Sequence, residues 1–134
     1  MLGKLLVTVG ILFYAIVVPI FELNDSHAFN PGWEPHARLH EVWQLATNCA
    51  IGAFSLWLVW FRGNLRLSSL MTFFVTGGFL LAYALRGSYG GSMVLSDGSE
   101  KMILGLNLGL FAYSLAIILA LLALYLDKTR TAAT

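Results

Sequence analysis

Apolar residues fill four long stretches, at about residues 5–21, 43–61, 67–85 and 102–126, and polar residues fall between them. None of the four alternates with the period of two that marks a half-buried strand. Each approaches the roughly 20 residues that cross a 30 Å hydrocarbon layer at 1.5 Å per residue. Only helices and closed barrels satisfy the backbone in lipid. The pattern therefore predicts an all-α membrane protein, a four-transmembrane-helix bundle. It forms a single integral membrane domain over residues 1–134, with helices at about 4–22, 35–62, 67–86 and 100–126.

The polar punctuation places the ends. Pro19 to Glu22 closes the first helix, Asn30-Pro31-Gly32 is a turn, and Pro35 fits the first turn of the second helix. A helix from Pro35 to Phe61 is roughly 40 Å long, so its first two turns stand at headgroup level or above it. Gly63-Asn64 turns the chain into the third helix, where Gly77-Gly78 is expected to permit close helix contact. A Gly- and Ser-rich loop follows over residues 86–99, with Ser99 as the expected N-cap of the fourth helix. On that helix Gly105 and Gly109, continued by Ala112, Ala116, Ala120 and Ala123, form a packing stripe and the expected contact for a homo-oligomer. The tail after Tyr125 is expected to fray.

Composition agrees: 58% of residues are hydrophobic and 11% charged, outside the range of soluble domains. The net charge of +1, with no basic cluster, excludes nucleic-acid binding as a function. The single Cys49 leaves no partner within the chain for disulfide or dithiol chemistry. The start of the chain has the Lys-then-apolar look of a signal peptide. No small-x-small cleavage site follows, so it reads as an uncleaved first helix. Lys4, Arg62, Arg66, Lys128 and Arg130 fall on one side of the bundle, and Arg38, Arg86 and Lys101 on the other. By the positive-inside rule both termini are cytoplasmic and residues 22–41 face the periplasm or the outside, in a bacterial inner membrane.

Charge then singles out one segment. Residues 22–41 hold all three histidines and four of the seven acids. Positions three and four apart share a helical face, so His36, His40, Gln44 and Thr47 form a row flanked by Glu41 and Asn48. Polar groups at membrane depth turn towards protein or a water-filled cavity. The expected picture is a cavity at the outer face with Glu22 and Asp25 at its rim. Tyr83, Arg86 and Asn107 are expected to face the row, and Trp43, Trp57 and Trp60 to mark interfacial positions.

Proton chemistry suits this set. A carboxyl in a partly apolar cavity beside an imidazole exchanges protons near neutrality, so Glu41, His40, His36, Asp25 and Glu22 are the candidate catalytic residues. Trp33 and Trp43 would stabilise positive charge, and with Gln44, Thr47, Asn48, Tyr83, Arg86 and Asn107 they form the candidate ligand-binding set. A divalent metal is the one cofactor suggested: His36 and His40 have the spacing of many metal sites, with His27 as a third candidate ligand. The HExxH order is absent, and membrane di-iron enzymes need more histidines.

Two resemblances follow from these residues. The run Asn30-Pro31-Gly32-Trp33-Glu34-Pro35-His36-Ala37-Arg38-Leu39-His40 resembles a motif of small four-helix membrane proteins, which implies a shared site in the first outer segment. More distantly, four helices with an acid ending the first, then Pro31-x-Trp33, Glu41 and Gln44, resemble the EXPERA group of sterol isomerases and sigma-2-like receptors. That resemblance implies a pocket for sterol-like or amine ligands with paired carboxylates, here Asp25 or Glu22 with Glu41. Ala46 departs from the group's expected proline.

The expected function is an integral membrane protein whose outer-face cavity binds an apolar small molecule: a lipid, a sterol-like or an isoprenoid compound. Isomerisation or hydration by acid–base transfer is the reaction class the residues suit, with enzyme and binding protein both open. Membrane lipid and the apolar ligand are the expected partners. The alternatives are a metal-binding protein using His36 and His40, and an accessory or transport subunit. Against transport, the first helix carries no acid before Glu22.

Overall fold

The computed structural model describes residues 1–132. It contains four helices long and apolar enough to cross a membrane: α1 (Leu2–Glu22), α2 (Pro35–Trp60), α3 (Leu65–Tyr89) and α4 (Leu108–Ala132). Between α3 and α4 a two-residue strand β1 (Met102–Ile103) pairs antiparallel with β2 (Leu106–Asn107).

Each boundary has a local cause. Leu23 leaves helical geometry at ψ 59° and stops α1. Pro35 occupies the first turn of α2 behind an extended Glu34. After α2, Gly63 takes φ 62°, and the Asn64 side chain caps α3 by accepting from the Leu67 amide at 3.0 Å. Gly90 closes α3 in the left-handed region at φ 74°, with the Gly91 amide turned back to the Arg86 carbonyl.

The fourth helix departs from expectation. It starts at Leu108, eight residues later than the sequence suggests, and its N-cap is Asn107, whose Oδ1 accepts from the Gly109 and Leu110 amides. Ser99 caps no helix; its amide and hydroxyl both donate to Asp97. Gly105 lies in the β1–β2 turn beside Leu104, both at positive φ, so it cannot belong to a helical packing stripe with Gly109. The tail expected to fray continues α4 to Ala132, and Ala133 and Thr134 lie outside the described residues.

Helix α1 is the centre of the bundle. Its Val7, Ile11, Tyr14 and Ala15 form the core with Val59 of α2, Leu65 of α3 and Tyr113 and Ala123 of α4. The alanine stripe of α4 packs as expected, with Ala112, Ala116, Ala120 and Ala123 all buried. The glycines it meets are on α1: a Cβ at Gly10 would lie 3.3 Å from the Ala116 carbonyl, and one at Gly3 would lie 3.4 Å from that of Ala123. Gly52 of α2 likewise lies against Ala15. Gly77 and Gly78 border open space, contrary to the contact expected of them.

Large apolar side chains lie on the outside of the bundle and small hydroxyl residues inside it. Leu12, Ile16, Phe74, Leu81 and Ile118 are exposed, while Ser55, Ser68, Thr72 and Thr76 are fully buried. Ser68 donates to the Ser55 carbonyl, Thr72 to that of Ser68 and Thr76 to that of Thr72, whereas the buried Ser69 hydroxyl has no partner among the described residues. Tyr14 reaches Ser55 Oγ at 3.5 Å. The Ser68–Ser55 and Tyr14–Ser55 bonds join α2 to α3 and to α1, while those of Thr72 and Thr76 stay within α3.

Within α1, Phe13–Val17 is a π-helical turn. The Ala15 carbonyl in that turn accepts from the Cys49 thiol at 3.3 Å. Turns of this kind recur beside functional sites, and Phe13 and Val17 both line the cavity described next.

Candidate functional site at the loop end of the bundle

The segment after α1 folds back on itself through its own side chains. Asn24 Oδ1 accepts from the Ser26 amide and hydroxyl, and Asn30 Oδ1 accepts from the Gly32 amide. The Ala28 amide donates to the Glu22 carbonyl at 3.1 Å. These bonds bury Ala28 and Asn30 and set His27 and Trp33 edge to face, 5.7 Å apart.

This wiring fixes the histidine tautomer. Ser26 has one hydroxyl proton and gives it to Asn24 at 2.6 Å. The 2.7 Å contact between Ser26 Oγ and His27 Nδ1 is then a bond that Nδ1–H donates. The lone pair of a neutral His27 is left on Nε2, which lies 4.0 Å from Glu22 Oε2. Burial holds the His27 pKa below its ordinary value, the Lys101 charge lowers it further, and Glu41 acts in the opposite sense. A pKa held below 6.5 favours the neutral imidazole at pH 7, with Nε2 turned towards Glu22.

Glu22 has a second neighbour. Glu41, in the second turn of α2, has one carboxyl oxygen shut off from solvent with no donor bonded to it. The Glu22 carboxyl lies within hydrogen-bonding reach of it. A direct bond between two carboxyls needs a proton on one of them. Glu22 thus lies between two ionisable neighbours, the Glu41 carboxyl and, at 4.0 Å, the His27 imidazole. Tyr113 of α4, stacked on Phe79 at 4.3 Å, lies within the field of both carboxyls.

Beside this set is a cavity of about 400 Å³ at the end of the bundle where the two long loops meet. Its wall is mainly apolar, with Phe13, Val17, Phe21, Met93, Leu95 and Phe111 prominent. The polar groups on it include Glu22, His27, Gln44, Lys101, Asn107 and Tyr113. Lys101 is held in place by donating to the Phe21 carbonyl at 3.2 Å, with its ammonium 5.6 Å from the Phe21 ring centre. Asn107, besides capping α4, donates to Glu100 at 3.0 Å.

The expected site residues divide accordingly. Glu22, Trp33, Gln44 and Asn107 line the cavity, and Glu41 adjoins it through Glu22. Asp25 is exposed on the loop and absent from the wall. His36 and His40 are also absent: they are exposed on α2 and bond each other, Nε2 to Nε2 at 3.0 Å. Trp43 is 64% exposed and packs on His40 rather than on the cavity. Thr47 is exposed, and Asn48 is buried against the bundle away from the cavity. Tyr83 and Arg86 engage each other, with the guanidinium 4.0 Å from the ring centre, and neither lines the cavity. Neither Arg38 nor Arg86 pairs with Glu22, Asp25 or Glu41.

The reason is geometric. Helical spacing shows that His36, His40, Gln44 and Thr47 share a face, but not where that face points. Most of it points outwards, and only Gln44 at its edge reaches the cavity. The metal expectation meets the same geometry, since His27 is in the cavity wall and His36 and His40 are not. Among the described residues no group of three or more His, Cys, Asp or Glu side chains gathers as a metal site.

Lys101, Tyr113 and the loop residues Met93 to Leu95 are cavity residues that the sequence did not single out. Lys101 carried a signal, as a lone cation directly before an apolar run. Tyr113 carried none, being one aromatic in an apolar helix. No protein-family model, curated protein or solved structure matches this chain.

Proposed function

We propose an integral membrane protein that binds an apolar small molecule, a lipid, sterol-like or isoprenoid compound, in the cavity between the outer loops. The Glu22–Glu41 carboxyl pair and His27 exchange protons with it. One observation carries this reading: an apolar cavity of about 400 Å³ with Glu22 and His27 on its wall and Glu41 beside Glu22. Apolar walls with a few convergent polar groups are the usual make-up of a small-molecule site.

The reaction class that suits the set is isomerisation or hydration. A protonated carboxyl gives its proton to a carbon–carbon double bond, and a neighbouring carboxylate or the His27 Nε2 lone pair accepts one back. Trp33, edge-on to His27, and Phe21 supply π faces for the positive charge that forms between the two steps. Both termini then lie in the cytoplasm and the cavity faces the periplasm or the outside of a bacterial inner membrane, in keeping with the distribution of Lys and Arg. Pairing of Glu41 with Glu22 rather than Asp25 also suits the paired carboxylates implied by the EXPERA resemblance.

Mass spectrometry of organic extracts from the purified protein tests the proposal. An apolar compound at near-stoichiometric amounts in the wild type, and its loss from Phe13→Trp and Gly109→Leu variants that fill the cavity, is the expected result. Equal lipid profiles in wild type and filled variants would overturn it.

A further inference from the structure

At the opposite end of the bundle a second hollow, about 420 Å³, opens between α3 and α4. Leu70 and Phe73 of α3 and Leu124 of α4 make its floor, and Arg66 and Lys128 complete its lining. One cation comes from the first turn of α3 and the other from the far part of α4, so the two helices each bring a positive charge to one apolar groove. Lys4 and Arg62, also at this end, are engaged with aromatic rings. Lys4 lies 5.7 Å from the Trp60 ring centre, and Arg62 lies 5.5 Å from that of Trp57. Asp127, next to Lys128 in the chain, does not line the groove.

We propose that this groove holds one anionic phospholipid, with its phosphate between Arg66 and Lys128 and an acyl chain along Leu70, Phe73 and Leu124. The inference rests on the reading that the four helices span a membrane. Three features select this occupant. A guanidinium and an ammonium on one site favour a phosphate that both can reach. The apolar floor gives a hydrocarbon chain a surface that free phosphate cannot use. A zwitterionic headgroup would bring its own ammonium towards two cations, whereas an anionic one brings none. Basic pockets between membrane helices on the more positively charged side suit anionic headgroups, each cation near the surface contributing on the order of 1 kcal/mol.

The test uses the full chain, purified in a neutral detergent. Binding of phosphatidylglycerol, phosphatidylcholine and inorganic phosphate is followed by native mass spectrometry and by the thermal unfolding midpoint. Phosphatidylglycerol is expected to bind and raise the midpoint, and the other two to do neither. The exposed pair Arg66→Gln with Lys128→Gln should weaken phosphatidylglycerol binding roughly thirtyfold. The charge-keeping Arg66→Lys variant and an Arg62→Gln control should retain most of it. Equal binding of phosphatidylcholine, an equal effect of inorganic phosphate, or unchanged affinity in the double variant would overturn the proposal. Extraction of the chain into the soluble fraction at alkaline pH would overturn the membrane reading itself. A chain that stays with the membrane but shows no lipid preference overturns the groove alone.

Discussion

The carboxyls of Glu41 and Glu22 are neighbours, so the last residue of α1 and the second turn of α2 meet through two acids, and one Glu41 oxygen is closed to solvent. A pair of acids at a helix junction holds the junction together only while a proton lies between them. An amide in place of one acid supplies that donor permanently. Glu41→Gln is therefore expected to keep or raise the unfolding midpoint, since its amide donates to Glu22. The same substitution removes the transferable proton, so activity on an apolar substrate should fall at least about a hundredfold, the usual scale of general acid–base catalysis. Thermal unfolding and product analysis on one preparation check both outcomes. A loss of stability equal to that of Glu41→Ala would show that the acid is only a structural contact.

His27 predicts a pH dependence whose sign follows from its surroundings. Burial and Lys101 hold its folded-state pKa below the unfolded value of 6.5, with Glu41 opposing. A depressed pKa means that the unfolded chain binds the proton more readily. The contribution of His27 is then fully present above pH 6.5 and is lost as pH falls through the lower folded-state value. Stability in detergent should decline on acidification below pH 6.5, and less so in His27→Gln. Lys101→Gln removes a cation and should raise the His27 pKa, read from its ring carbon resonances by NMR. An unmoved resonance in that variant would place Lys101 outside the site's electrostatics.

The four helices were legible because lipid-crossing length leaves few other readings for an apolar run, and the Ala112–Ala116–Ala120–Ala123 stripe was legible because small residues have few other uses there. The site was legible only in part. Glu22, Trp33, Gln44 and Asn107 were identified from their chemistry, and all four reach the cavity. His36 and His40 stood out for the same reason and point away from it, because periodicity defines a face without orienting it. The start of α4 was hidden because Met102, Ile103, Leu104 and Leu106 are as apolar as the helix that follows. A left-handed Leu104, at φ 51°, has no signature in composition.

That outward orientation gives a test against the sequence pattern. His36 and His40 are exposed and bond chiefly each other, so replacing both with alanine should change stability by no more than about 0.5 kcal/mol. Retention of the apolar ligand, measured by mass spectrometry, should match the wild type, whereas Glu41→Gln or His27→Ala changes it. Loss of ligand in the His36→Ala, His40→Ala double variant would mean that the outward pair, and not the cavity set, carries the function.

Packing gives the last contrast, between two kinds of glycine that the sequence does not distinguish. Gly10 faces the Ala116 backbone with 3.3 Å to a first added carbon, and both helices are held there by their neighbours in the core. A valine at Gly10 drives branched carbons into that backbone and should cost about 1–3 kcal/mol, the usual range for overpacking. Gly77 borders open space, and alanine there removes a helix-weakening glycine without a clash, so its midpoint should stay level or rise. The comparison needs only thermal unfolding of Gly10→Val and Gly77→Ala in the same detergent. If Gly77→Ala is the more damaging of the two, the α1–α4 contact is not the tight seam of this bundle. The close helix pairing would then have to involve α3 instead.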